Sequence, residues 1–331
     1  SGGSIIGTGL GVYSPGTAYV LLHHAMGDVD GNVGSWGFAR GGMGSVAAAL
    51  SSSFQSLGGE IRTNSEVNQI VVDGKTAKGV QLVSGEIIRA NAVVSNLDAK
   101  RTFLKLIDEK KLPSELSEKA RNFKIRGSSG KVNIALDGMP IFSALPKKSP
   151  LTLGHMHFSD TLERLERAYD DWKDDRWSAD PYVDMVIPTQ YDPTMAPPGK
   201  HMMSVFVQYC PVSPEGGWDE KKKKEFGDTV INQIADYSPN FKDLILHAEI
   251  RTPHEIEKEV GLTEGNIFQG ELTLDQLMFN RPFPGYAQYR GPFKKMYMCS
   301  SSNHPGGGVM GAPGANAARE ILRDLKLQNT T

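Results

Sequence analysis

The chain has 331 residues, of which 39% are hydrophobic and 22% charged, as in soluble globular proteins, and this length allows two domains. Its net charge of −2 excludes a broad basic surface for nucleic acid. Two cysteines exclude a disulfide scaffold, and no run reaches the ~18 apolar residues of a membrane span or has the pattern of a secretory signal. We therefore expect an intracellular protein, either cytoplasmic or in peripheral contact with a membrane.

Residues 5–11 read Ile-Ile-Gly-Thr-Gly-Leu-Gly and resemble the start of a dinucleotide-binding motif. That motif requires G-x-G-x-x-G between a full strand and a helix. Here Val12 stands at the next position, and residues 14–16, Ser-Pro-Gly, break any helix. We predict a loop for this segment.

The apolar residues from 43 to 57 recur at the i, i+3, i+4, i+7 spacing of an amphipathic helix, which Gly58 and Gly59 end. Short β-rich runs separated by turns follow this helix. The predicted strands are 60–63, 66–73, 78–83, 86–90 and 92–95. A helix followed by such a meander is typical of the middle part of a nucleotide-binding domain.

From about residue 140 to residue 290 the pattern changes to long strands and charged helices with prolines between them. The strands of this region are predicted at 183–187 and 201–209 and its helices at 160–173 and 219–237, and a further strand is predicted before it, near 131–136. We interpret this region as a separate α+β domain inserted into the first one. The predicted boundaries are 36–139 with 291–331 for one domain, and 1–35 with 140–290 for the other.

The end of the chain predicts a strand, a glycine-rich turn and a helix. The apolar run 296–299 is strand-like, and Ala317, Ile321 and Leu325 lie on one helical face. Between them, Gly306, Gly307, Gly308 and Gly311 permit a close backbone approach to an anion or an electron-rich carbonyl at the start of the helix. A glycine-rich loop without a ligand is the alternative.

Several motifs in order along the chain resemble the phytoene desaturase-like branch of the FAD-dependent amine oxidase superfamily. They are Arg40-Gly-Gly-Met-Gly44, residues 60–70, residues 90–96 and residues 304–312, supported by residues 19–24, 36–37, 196–199, 265–268 and 274–277. The likeness implies an incomplete Rossmann-like FAD-binding domain, α/β in class, with an inserted mixed-sheet substrate domain of α+β class. Since the family's opening strand–G-x-G-x-x-G–helix unit is not found in the sequence, the chain looks like the C-terminal part of a longer flavoprotein.

The resemblance also implies the cofactor contacts, all of them to FAD. The backbone of Val67 would reach the adenine edge, and Gly41, Gly42 and Met43 would lie on the flavin or ribityl side. The pyrimidine carbonyl of the flavin would be covered by residues at the start of the last helix, namely Gly307, Gly308, Val309 and Met310. An ordinary core valine and a plain turn are the alternatives for Val67 and for Gly41 with Gly42.

The implied reaction is removal of hydride from an apolar, possibly isoprenoid or lipid-like, substrate to the flavin. His304 precedes the glycine turn and is the candidate catalytic base, with a structural role in the turn as the alternative. His155 and His157 share a face of a predicted strand, but no further ligand completes a set, so we predict no metal site.

A second function stays open beside the oxidoreductase: a non-catalytic module that binds a hydrophobic ligand or a partner and has lost the flavin. In either case half of a flavin domain would expose apolar surface. We therefore expect the isolated chain to self-associate.

Overall fold

A computed structural model of the protein describes residues 5–146, 149–158 and 161–328. Contacts along the chain divide it into two compact units. The first unit comprises Ser1–Ile61 and Gly127–Val260, and the second comprises Arg62–Arg126 and Gly261–Thr331.

The elements follow in chain order. The α-helices of the described ranges are α1 (Thr17–Ala25), α2 (Gly44–Ser56), α3 (Ser114–Asn122), α4 (Leu162–Lys173), α5 (Glu220–Tyr237), the short α6 (Pro253–Glu255) and α7 (Ala312–Gln328). The strands are β1 (Asp28–Val29), β2 (Asn32–Val33), β3 (Val67–Asp73), β4 (Thr76–Leu82), β5 (Ile87–Arg89), β6 (Val93–Ser95), β7 (Ser129–Leu136), β8 (Met156–Phe158), β9 (Tyr182–Val186), β10 (His201–Gln208), β11 (Ile245–Arg251) and β12 (Met296–Met298). No helix in these ranges is long and apolar enough to cross a bilayer.

The first unit is built on an antiparallel sheet with the strand order β11-β7-β10-β9-β8. Alternate residues of its strands, such as Val132 and Val205, join a buried cluster with Phe226 of α5, so that one face of the sheet is apolar. The other face carries polar residues and is partly covered by α4, whose Trp172 packs with Tyr182 and Tyr209. This second face is called the polar face below.

Helix α2 confirms the helix predicted from the apolar spacing, but none of its residues is buried. Leu50 is 68% and Phe54 52% exposed. The strand predicted at 60–63 is wrong, because these residues form bends and irregular structure instead. Their backbone follows the turn at Gly58, where φ is +85°, and finds no neighbouring strand to pair with among the described residues.

The amino-terminal segment confirms the predicted loop, since residues 5–11 are turns and bends. The Gly7 N–H donates to Oε1 of Gln208 at 2.7 Å, and Ile5 is fully buried. Helix α1, which follows, was not predicted, because its apolar run of Tyr19 to Leu22 is short and has no capping side chain.

The second unit contains the antiparallel meander β3-β4-β5 and the parallel pair β6-β12. These strands confirm four of the predicted ones, at 66–73, 78–83, 86–90 and 92–95, within a few residues at each end. The core of this unit is aromatic and apolar, with Phe103, Phe123 and Phe283 in contact and Met296 of β12 fully buried. It fixes the strand that leads into the last helix.

The contact units and the predicted domains assign three segments differently. Contacts group residues 36–61 and 127–139 with the first unit and residues 261–290 with the second. Residues 261–290 join the second unit because Asn266 and Glu271 bond to residues 124–126, and Phe283 enters its core. Helices α4 and α5 confirm the helices predicted at 160–173 and 219–237, apart from residue 160, which lies outside the described residues.

Helix α7 is fixed to β12 by a charged network. Arg290 donates to both Asp324, at 2.8 and 2.9 Å, and Glu320, at 2.7 Å. The Tyr297 hydroxyl of β12 donates to Asp324 at 2.9 Å. Since this network joins the strand before the glycine turn to the helix after it, both ends of the turn are held within one unit.

Candidate functional site

The glycine-rich turn between β12 and α7 has an anchored first half. Ser302 donates through its hydroxyl to the carbonyl of Gln269 at 2.5 Å and accepts from the Ala99 N–H at 3.0 Å. The Ser301 N–H donates to Oε1 of Gln269 at 3.1 Å. Further along, the Tyr289 hydroxyl donates to the His304 carbonyl at 2.8 Å. The turn is therefore positioned by buried polar contacts before it reaches the glycines.

Arg281 organises these contacts from a fully buried position. Its guanidinium donates to the carbonyls of Phe268, Gly270, Glu271, Gln276 and Ser301, at 2.7 to 3.3 Å. An arginine has five N–H donors in a rigid plane, so a single side chain can hold several loop carbonyls at once. Arg281 thereby ties the loop 268–276 to the start of the glycine turn.

The second half of the turn is exposed and has an unusual backbone. Gly308 and Gly311 have φ values of +125° and +66°, and Val309 between them has φ of +55°. A β-branched residue in this region is a genuine outlier, since its side chain clashes with its own backbone. Val309 is nevertheless 75% exposed, so burial of its side chain does not account for the conformation. Strain of this kind occurs where a fixed backbone shape serves a ligand.

The first turn of α7 follows directly. The N–H groups of Ala312 and Gly314 have no acceptor within the helix, and Pro313 between them has no N–H. A helix of this length also places partial positive charge at its start. The exposed residues Gly308 to Gly311 thus surround a group of donors suited to a carbonyl or an anion.

Two side chains beside the turn have buried polar atoms without a partner in the described part of the chain. They are both amide atoms of Asn303, whose side chain is fully buried, and Nδ1 of His304. Buried polar atoms are normally hydrogen-bonded, so these three atoms indicate a further polar group, whether solvent or ligand, that meets them. Burial, together with the positive charge of Arg281, lowers the pKa of the His304 imidazole.

Two histidines are expected to titrate on opposite sides of the ordinary value of about 6.5. Nδ1 of His155 donates to Oδ1 of Asp184 at 3.0 Å, which raises the pKa of His155, whereas the pKa of His304 is lowered. Acidification from pH 7 should therefore protonate His155 first, which stabilises the folded state, and His304 last, which destabilises it. NMR titration with the variants His155→Gln and His304→Gln assigns the two midpoints, and the reverse order would contradict these environments.

Val67 lies at the edge of a cleft of about 520 Å³ in the second unit, beside the start of β3 and the end of β6. The lining combines apolar residues with Arg101, Lys105 and Glu66. This mixture suits a heteroaromatic ring with polar edges next to a charged group. Residues 304–311 are not part of this lining, so the cleft and the glycine turn are two separate places in the same unit.

Gly41, Gly42 and Met43 lie in the first unit. Both glycines have φ of +80°, which accounts for glycine at the entrance to α2. The Gly41 N–H donates to Oδ2 of Asp192 at 2.6 Å, and hydrogen bonds from Thr194 and Gly41 lower the pKa of that carboxyl. Met43 is exposed.

Sequence reasoning missed Arg281, Tyr289 and Asn303, the residues that shape the turn. A charged residue before a proline, an isolated tyrosine and an asparagine in a loop have no periodic pattern that would single them out. The described residues hold no group of three or more metal-ligating side chains.

Comparison with protein families matches residues 4–322 to the flavin containing amine oxidoreductases. Pyridine nucleotide-disulfide oxidoreductase domain-containing protein 2 of Rattus norvegicus is 39% identical over 98% of this chain and 57% of its own length. A phytoene desaturase (lycopene-forming) of Paracoccus sp. is 25% identical over 95% of this chain and 59% of its own. The chain therefore spans little more than half the length of these relatives.

Among solved structures, cyclohexylamine oxidase from Brevibacterium oxydans superposes with a TM-score of 0.56. The match covers 98% of this chain and 64% of that one at 14% identity. At this identity the likeness concerns the fold, which is the mixed α/β arrangement with several sheets described above.

Proposed function

Because the chain belongs to the flavin containing amine oxidoreductase family, we propose that it carries part of an FAD-dependent oxidoreductase that removes hydride from an apolar, lipid-like substrate. In this proposal the chain is the C-terminal part of a longer flavoprotein. The parallel pair β6-β12 with α7 belongs to an incomplete Rossmann-like sheet, and the antiparallel sheet of the first unit belongs to the substrate domain.

The observation that carries the proposal is the exposed turn at Gly308 to Gly311, with its positive φ values at the start of a long helix. The unpaired buried atoms of Asn303 and His304 fit a polar group bound beside it. The cleft at Val67 fits the adenine end of FAD. These residues suit the cofactor, and so do Gly307, which packs against Phe268, and the exposed Met310.

When bound, FAD supplies the two-electron acceptor for the hydride. The chain's own residues contribute charge stabilisation and a proton acceptor. Backbone N–H groups at the start of α7 would stabilise negative charge on an electron-rich carbonyl of the cofactor. Burial and the charge of Arg281 lower the pKa of His304 and so favour its neutral ring, which could accept the proton that leaves the carbon next to the site of hydride loss.

The exposed apolar face of α2 supports the longer polypeptide and also the expected self-association. Leu50, Phe54 and Leu57 are all more than half exposed, although their spacing is that of a helix face that packs against something. In the longer protein a further segment covers this face. In the isolated chain we propose that a second copy does so.

The test is the visible absorption spectrum of the purified chain with and without added FAD, measured on protein separated from free flavin. Bound, oxidised flavin is the expected result for the chain, and more strongly for the longer gene product. A colourless protein in both forms would overturn the proposal and favour a module that binds a hydrophobic ligand without flavin. Light scattering on the same samples should show a mass above 36.1 kDa, and a monodisperse monomer would contradict self-association.

A further inference from the structure

The polar face of the first unit's sheet carries a row of residues in which four of the five side chains are ionisable. The strand register places Arg251, Lys131, Phe206, Asp184 and His157 directly opposite one another on β11, β7, β10, β9 and β8. Residues paired in this way lie on the same face of an antiparallel sheet. Two further polar residues, Asn133 and Ser204, form the next row along β7 and β10.

Lys131 is the residue in this row whose charge is least compensated. Its Nζ donates to Oγ of Ser204 at 2.5 Å. No carboxylate lies within ion-pair distance of Nζ in the ranges that the structure describes, whereas Arg251 pairs with Glu249 and Glu259. An ammonium group has three donors, so two donors of Lys131 remain for another acceptor.

The surroundings of Lys131 make an unmet donor costly. The side chain is half-buried, and burial lowers its pKa. An ammonium group that is partly withdrawn from water is less stable unless an acceptor replaces the lost solvent. Ser204 can relieve part of this loss, because its hydroxyl accepts from Lys131 and has a hydrogen to donate onward.

Asp184 does not supply the missing partner, since its carboxylate is engaged by His155. That carboxylate is buried, and the histidine it binds has a raised pKa. Burial lowers the pKa of Lys131 and the charge of Asp184 partly opposes this, but no ion pair joins these two side chains in the described ranges. An anionic group within hydrogen-bond distance of Nζ would therefore complement Lys131.

An aromatic surface adjoins His155, the side chain that binds Asp184 of this row, within the first unit. The ring of Trp36 lies edge-on to His155 at 5.8 Å, and Phe38 stacks on His155 at 6.1 Å and on Tyr191 at 4.6 Å. All three aromatic side chains are more than two-fifths exposed. A polar end beside an aromatic wall is the arrangement that an amphipathic molecule requires.

We propose that this face binds an amphipathic carboxylic acid. Lys131 and Ser204 donate to its carboxylate, and Trp36, Phe38 and Tyr191 contact its apolar chain. Binding of the acid does not depend on the proposed function, but its role as the molecule that is oxidised rests on that function. The proposed substrate class is then an apolar acid and not a hydrocarbon. A pure hydrocarbon would bury Lys131 without offering an acceptor.

The test uses the full chain without flavin and two fluorescent probes, cis-parinaric acid and its methyl ester. These share the apolar tail and differ in the carboxylate. We expect the acid to bind roughly tenfold more tightly than the ester, as for a charge-assisted contact. Lys131→Met should abolish this difference, because it keeps most of the length of the side chain and removes the charge.

Lys200→Met is the matched control, since Lys200 begins the neighbouring strand region and pairs with Asp137. It should bind both probes as the wild type does. Equal affinity of the wild type for acid and ester, or an unchanged preference in Lys131→Met, would overturn the inference. Should Lys131→Met fail to fold, Ser204→Ala decides, with a weaker preference for the acid expected and an unchanged one contradicting it. Because neither probe reports on flavin, failure here is distinct from failure of the flavin test.

Discussion

Replacing Arg281 with Met is expected to lower the free energy of unfolding of the second unit by about 3–5 kcal/mol. Methionine fills much of the same space but donates no hydrogen bonds. Five buried carbonyls would lose a donor, including those of Ser301 at the glycine turn and Phe268 beneath it. Denaturant unfolding measures the change directly.

Arg323→Met is the matched control, because Arg323 lies in the same unit, is largely exposed and pairs with Glu320 at the surface. Its expected cost is at most about 1 kcal/mol. Equal losses for the two variants would show that the buried hydrogen bonds of Arg281 are replaced by water. Since Arg281 also contributes to the lowered pKa of His304, the NMR midpoint of His304 should rise in Arg281→Met if the unit remains folded.

Replacing Gly307 with Val is expected to weaken FAD binding by about 10- to 100-fold. A Cβ at this position would lie 2.8 Å from Cδ1 of Phe268, whose ring is buried. Overpacking of this kind costs about 1–3 kcal/mol and would move the exposed turn away from the position that the proposal requires. That free energy corresponds to the stated range in the dissociation constant, measured by flavin titration of the chain or its longer gene product.

Ala318→Val adds similar atoms to an exposed position of α7 and serves as the control. It should cost roughly half a kcal/mol through helix propensity and leave flavin affinity unchanged. If Gly307→Val bound FAD as tightly as this control, the glycine turn would not be the flavin contact.

Much of the secondary structure could be predicted because it depends on local spacing. The alternation in residues 131–136 and the i, i+4 repeat in α5 reflect the faces that these elements bury. The prediction of a strand at 60–63 was wrong because a strand also depends on a partner, which local spacing does not show. The β-branched Ile61 favours a strand, but its preference does not show whether a neighbouring strand is present to pair with it.

Most of the candidate site could not be predicted, because it depends on contacts between residues that are distant in the sequence. Glycines 307, 308 and 311 are visible in the sequence because they permit a backbone conformation, whereas the strain at Val309 is not, since valine rarely adopts a positive φ. The partners of Arg281 lie five to twenty residues away in irregular segments. Lys131 and Asp184 are 53 residues apart and meet only through the strand between them.

The division of the chain into interleaved segments has a consequence for synthesis on the ribosome. Residues 1–260 contain every residue of the first unit, so that unit can complete its sheet as soon as α6 and the residues after it have emerged. The second unit begins at Arg62 but needs the residues from Gly261 onward, and its strand β6 finds its partner β12 only after residues 127–260 of the first unit have been made. Such non-local pairing is slow and leaves apolar surface open in the meantime. Between the synthesis of β6 and that of β12 the second unit therefore stays unfinished, which makes it the unit more dependent on chaperones during translation.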